Sequence, residues 1–160
     1  MSYTNSDGTY VLTGIDQGTV LAQGTSEDVV RRTLVIDIDF TALGTTFTSA
    51  NITPNMPTIP ANSFITNATL IMNTAATSGG AATLDIGTYL ASGTAVVAAG
   101  LTSASALTTI DAIGEVLKCA GTQVNGTITI GTAPVYIGAK WGTAAFTAGA
   151  GKLYIDYIQQ

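Results

Sequence analysis

The sequence predicts an all-β fold: an antiparallel β-sandwich or jelly roll behind an extended N-terminal arm. Three observations carry that expectation. Apolar and polar residues alternate with period 2 over several short stretches. Gly, Pro and Asn-Gly turn signals punctuate those stretches. The 160 residues are rich in Thr, Ala and Gly, with only 9% charged, and no sustained helical period runs through them.

Residues 1–31 form the arm. Gly8, Gly14, Gly18 and Gly24 are irregularly spaced, and apolar residues cluster only in Tyr10-Val11-Leu12 and Val20-Leu21. One or two short strands are expected there, but no core. Residues 32–160 form the sandwich domain. Its first strand is Thr33 to Phe40, where Leu34, Ile36, Ile38 and Phe40 alternate with Val35, Asp37 and Asp39. Pro54, Pro57 and Pro60 mark a loop, because proline cannot donate to a ladder. Phe64–Thr74 and Thr83–Gly87 read as two strands, and Ser78-Gly79-Gly80 between them suggests a hairpin.

Ala106, Leu107, Ile110, Ile113 and Leu117 fall at helical spacings. They allow one short helix over 103–113, stopped by Gly114 and resisted by Thr108 and Thr109. Strands resume at Thr127–Ile130, after the Asn125-Gly126 turn, and at Pro134–Ala139. A small-residue loop from Gly142 to Gly151 leads to a last strand, Lys152–Ile158.

Composition excludes several functions. Without His, the chain lacks the commonest general base and zinc ligand. The single Cys119 allows neither an internal disulfide nor a cysteine metal cluster. Five basic residues in a net charge of −5 give no footprint for nucleic acid. Mean hydropathy is high, at +0.41, but Gly, Thr and Ser break every apolar run before the ~20 residues of a spanning helix. Met1–Asp7 has neither the basic nor the apolar region of a signal peptide. A surface so poor in charge suits a chain that spends it against other chains.

Few constellations suggest chemistry. Asp37 and Asp39 lie two apart on one strand and face the same way. A solvated strand face explains them better than a metal site or an acid–base pair. Gly149-Ala150-Gly151-Lys152 is not a phosphate loop, because Phe146 and Leu153 stand where that motif needs Gly and Ser or Thr. No cofactor or metal is expected. Tyr89, Tyr136, Trp141 and Tyr154 are the aromatics a glycan platform could use.

The central residues resemble small virion proteins of tailed phages. The resemblance rests on Ile59-Pro60-Ala61-Asn62-Ser63-Phe64-Ile65-Thr66-Asn67-Ala68-Thr69-Leu70, on Thr83-Leu84-Asp85-Ile86-Gly87-Thr88-Tyr89-Leu90 and on Gly151-Lys152-Leu153-Tyr154-Ile155-Asp156-Tyr157. It covers roughly Arg32 to Ile158. It implies a non-enzymatic structural protein, most often a capsid decoration or cement protein. Such a protein forms a homotrimer, sits on the capsid surface and binds the major capsid protein. The alternative is a carbohydrate- or receptor-binding module of the particle. Ordering the arm costs about 1–2 kcal/mol per residue, more than a local core could recover. Other chains are therefore expected to order it. Tyr10, Val11, Leu12, Val20 and Leu21 are the expected anchors, with Arg31 and Arg32 at the hinge.

Overall fold

A computed structural model describes residues 2–4, 10–12, 30–125 and 128–159. The chain divides into two compact units, Met1–Val30 and Arg31–Gln160. In the first, β1 (Ser2–Thr4) pairs antiparallel with β2 (Tyr10–Leu12), Tyr3 opposite Val11.

Eight strands follow: β3 (Val30–Asp39), β4 (Thr58–Ile59), β5 (Ser63–Ser78), β6 (Thr83–Tyr89), β7 (Ala95–Ala106), β8 (Val116–Lys118), β9 (Val135–Gly142) and β10 (Phe146–Gln159). They form two four-stranded antiparallel sheets, ordered β3-β10-β5-β8 and β4-β9-β6-β7. The first of the eight lies beside the last. The second pairs with the seventh, the third with the sixth and the fourth with the fifth. A ribbon of four such strand pairs, rolled up and closed by β5–β10 and β6–β9 contacts, is a jelly roll.

Alternation in the sequence becomes burial in the fold. In β3, Ile38 is buried and Leu34 and Ile36 are half-buried, while Thr33, Val35, Asp37 and Asp39 are exposed. In β10, Leu153, Ile155 and Tyr157 face inward between half-buried Lys152, Tyr154, Asp156 and Ile158. One core lies between the sheets. Ile65, Leu70, Met72, Leu153 and Ile155 enter it from the first sheet, and Leu84, Ile86, Leu101, Val135 and Ile137 from the second. Phe40 and Phe146 meet in this core with ring centroids 5.1 Å apart.

Four expectations are corrected. Residues 103–113 form no α-helix: β7 runs to Ala106, and only Leu107–Thr109 makes a 3-10 turn. The helical spacing does not define one buried face, since Ile110 is fully buried while Ile113 is 73% exposed. Strands β5 and β6 are not a hairpin but belong to different sheets. The Gly79-Gly80 bend carries the chain across the sandwich. The loop expected from Gly142 to Gly151 is mostly strand, because β10 begins at Phe146 and pairs there with Ser78. Thr129 makes only an isolated bridge, to Phe64, in place of the expected strand; part of that segment lies outside the described residues.

Candidate functional site: the edge and outer face of β3

Strand β3 ends one sheet and leads directly from the N-terminal unit. Two contacts fix its alignment on β10. Thr33 Oγ1 donates to Asp156 Oδ1 at 2.6 Å, and Lys152 Nζ to Asp37 Oδ1 at 2.6 Å. Four residues further along one strand is four residues back along the other, as an antiparallel ladder requires.

Extending these alignments through the sheet gives the rows of its outer face. By the Thr33–Asp156 and Asp37–Lys152 contacts, Val35 falls in line with Tyr154, which pairs with Thr69 and through it with Lys118. Asp37 lies in line with Lys152, Ile71 and Val116. Val35 is 45% exposed and Val116 60%. The face therefore mixes apolar side chains with charges, Arg31, Asp37 and Asp39 on β3, Lys152 and Asp156 on β10 and Lys118 on β8. Arg31 and Arg32 begin β3 and Asp37 and Asp39 end it, all four exposed.

The two aspartates have separate partners. Asp37 holds Lys152, whose ammonium is kept above its usual range by that hydrogen bond and by the Asp37 charge. Asp39 caps the 3-10 turn Phe40–Ala42. Its Oδ1 accepts from the Thr41 hydroxyl at 2.7 Å and the Thr41 amide at 2.9 Å. Those bonds hold its carboxyl below the ordinary range. No group of three or more metal-ligating residues occurs among the described residues.

Beside β3, an open cavity of about 240 Å³ is lined by Ile36, Ile38, Leu43, Phe47, Met56 and Ile137, among others, with Asp37 and Asp39 also lining it. Its apolar wall continues the core toward the sheet edge.

The four candidate aromatics do not assemble. Tyr89 is buried against Phe47, with ring centroids 4.5 Å apart. Trp141 donates its indole N–H to the Leu43 carbonyl at 2.9 Å. Tyr136 and Tyr154 alternate with the buried residues of β9 and β10, so they lie on the outer faces of opposite sheets.

Among the expected arm anchors, Tyr10, Val11 and Leu12 form β2. Val20 and Leu21 lie outside the described residues. Arg31 and Arg32 are exposed at the start of β3. Sequence reasoning missed Lys152 as the partner of Asp37. The available signal was its outward place in the alternation of the last strand; the missing information was which strand lay beside it.

The class of protein this architecture defines is a jelly roll, with eight strands among the described residues of unit 31–160 and a separate N-terminal unit before it. No known family profile matches the chain, and no curated protein matches it in sequence. Among solved structures, it is similar to a chain of the capsid of Ralstonia phage GP4. The TM-score is 0.54 at 20% identity, covering 86% of this chain and 88% of that one. It is also similar to a chain of the cyanophage Pam1 capsid asymmetric unit, with a TM-score of 0.50 at 19% identity and 100% of both chains covered. The likeness is one of fold, and it extends over most or all of chains of comparable length.

Proposed function

We propose that this chain is a non-enzymatic structural protein of a phage particle, and specifically a decoration protein that binds the major capsid protein on the head surface. The observation that carries the reading is the fold likeness, over most or all of the chain, to chains of two phage capsids. Because those chains are of similar length, the likeness is not to one domain of a much larger shell protein. The scarcity of charge, 9% of residues, suits a chain whose surface is spent on contacts.

The mechanism is burial. Apolar area removed from water contributes roughly 25 cal/mol per Å², before association costs are subtracted. As a homotrimer, the protein would engage three lattice sites, and the second and third contacts would form at high effective concentration. The arm supplies the reach, with Tyr10, Val11, Leu12, Val20 and Leu21 as anchors and Arg31 and Arg32 where it joins the jelly roll.

The test is co-sedimentation of purified protein with heads of its phage lacking it. Saturable binding is expected, weakened by deletion of residues 2–28. Imaging of the decorated heads should place density at lattice symmetry axes. Binding to tails alone would overturn the reading.

A further inference from the structure

The charge pattern of β3 makes its edge complementary to itself. Its outward side chains run Arg31, Thr33, Val35, Asp37, Asp39, cationic at one end and anionic at the other, with an exposed valine in the middle. Lay a second copy of β3 antiparallel beside the first, with Val35 opposite Val35. Arg31 of each copy then opposes Asp39 of the other, and Thr33 opposes Asp37. A parallel, in-register pairing would set arginine against arginine and aspartate against aspartate, which is unfavourable.

The strand is ten residues long and stands at the sheet edge. It contains no proline. An edge of this length offers its backbone groups as a template for another strand, and its exposed charges, with Arg32 on the inward-facing parity, guard it against any partner that does not match them. We propose that the edge of β3 is an interface for a second copy of this chain. The two copies are related by a two-fold axis at Val35, which joins two four-stranded sheets into one of eight strands. The contact is isologous. It is therefore distinct from any three-fold contact, and in a trimeric protein it would link one trimer to the next.

Parity restricts the alignment. Outward residues must face outward residues, so the register can change only in steps that keep the two faces separate. Centring on Val35 brings both Arg31–Asp39 pairs together and leaves no outward charge opposite its like.

A cysteine at the axis reads the geometry directly. Opposed residues in an antiparallel pair have Cα atoms about 4.5–5.5 Å apart, within disulfide range. Val35→Cys is expected to form a disulfide-linked dimer under mild oxidation in purified protein without capsids. The native Cys119 is buried and does not compete. Ile113→Cys is the control, since Ile113 is more exposed at 73%. Cross-linking of Val35→Cys should be at least about tenfold faster, because a formed contact raises the effective concentration of the thiols.

Thr33→Cys and Asp37→Cys should each fail to link alone and should link to one another when mixed. Added to Val35→Cys, Arg31→Asp should slow the reaction, and Asp39→Arg should do the same. The double reversal should restore it, with circular dichroism verifying that each variant is folded. The proposal is overturned if Val35→Cys links no faster than Ile113→Cys. It is also overturned if Arg31→Asp leaves the rate unchanged, or if Thr33→Cys links to itself as readily. Capsid binding plays no part in these measurements, so their failure would leave the decoration reading standing.

Discussion

At the scale of single residues, Asp39 couples the fold to pH. Its two bonds from Thr41 exist only when the 3-10 turn is formed, and they depress its folded pKa. A depressed carboxyl contributes stability that is fully present above its unfolded value of about 3.9 and is lost as pH falls through the lower folded value. Asn caps about as well as Asp but does not titrate. Asp39→Asn should therefore flatten the acid limb of the melting curve below about pH 4, measured by thermal melts across pH. An acid limb as steep as that of the parent would remove Asp39 from the account. Lys152 acts in the opposite direction. Its pKa is raised by Asp37, so its contribution is full below the unfolded lysine value and lost as pH rises through the folded one.

At the scale of elements, β6 shows how closely the strands of the second sheet approach. Its ladder with β7 shifts register between Ile86 and Thr88. Gly87 sits in that interval. A Cβ there would come within 2.3 Å of the Val97 carbonyl oxygen and 2.4 Å of the Ala98 carbonyl carbon. Both are backbone atoms, which cannot swing aside. Gly87→Ala should cost about 1–3 kcal/mol or more, the usual range for overpacking. Gly79→Ala meets nothing within 4 Å and should leave thermal stability nearly unchanged. Equal melting temperatures for the two variants would contradict the packing.

The same contrast explains what the sequence could reveal. The alternation of Leu34, Ile36 and Ile38, or of Leu153, Ile155 and Tyr157, exposes a strand and its inner face, because burial of one side has period 2. Pairing leaves no such local trace. Nothing near Asp37 announces Lys152, 115 residues away in the chain. The expected β5–β6 hairpin failed for the same reason: Ser78-Gly79-Gly80 encodes a bend, and a bend does not say whether the chain stays in its sheet. The helix over 103–113 failed because its apolar residues share no buried face: Ile110 is buried, while Ala106 and Ile113 are exposed. As for the site, Arg31 and Arg32 and the carboxylates Asp37 and Asp39 were visible individually. Their arrangement as the two ends of an edge strand required the topology.

At the scale of the whole molecule, the two units suggest a division of labour. The described core runs from Ile38 to Tyr157, within residues 31–160. We propose that the N-terminal unit serves attachment and the jelly roll folds without it. Deleting residues 2–28 should then change the melting temperature little, as measured by differential scanning calorimetry. A truncated chain that cannot fold would make the arm part of the core. The jelly-roll winding also orders events in time. The first long strand, β3, is neighbour to the last, β10, which is also the main partner of β5. A chain emerging from the ribosome can therefore complete neither of these pairings until residues 146–159 are free. The sheet closes late, by contacts distant along the chain, which is the slow class of folding reaction, taking milliseconds to seconds. Through that interval both flanks of the gap left by β10 are open. Anything that delays the docking of β10 would prolong exposure of the surfaces most prone to strand pairing with the wrong molecule.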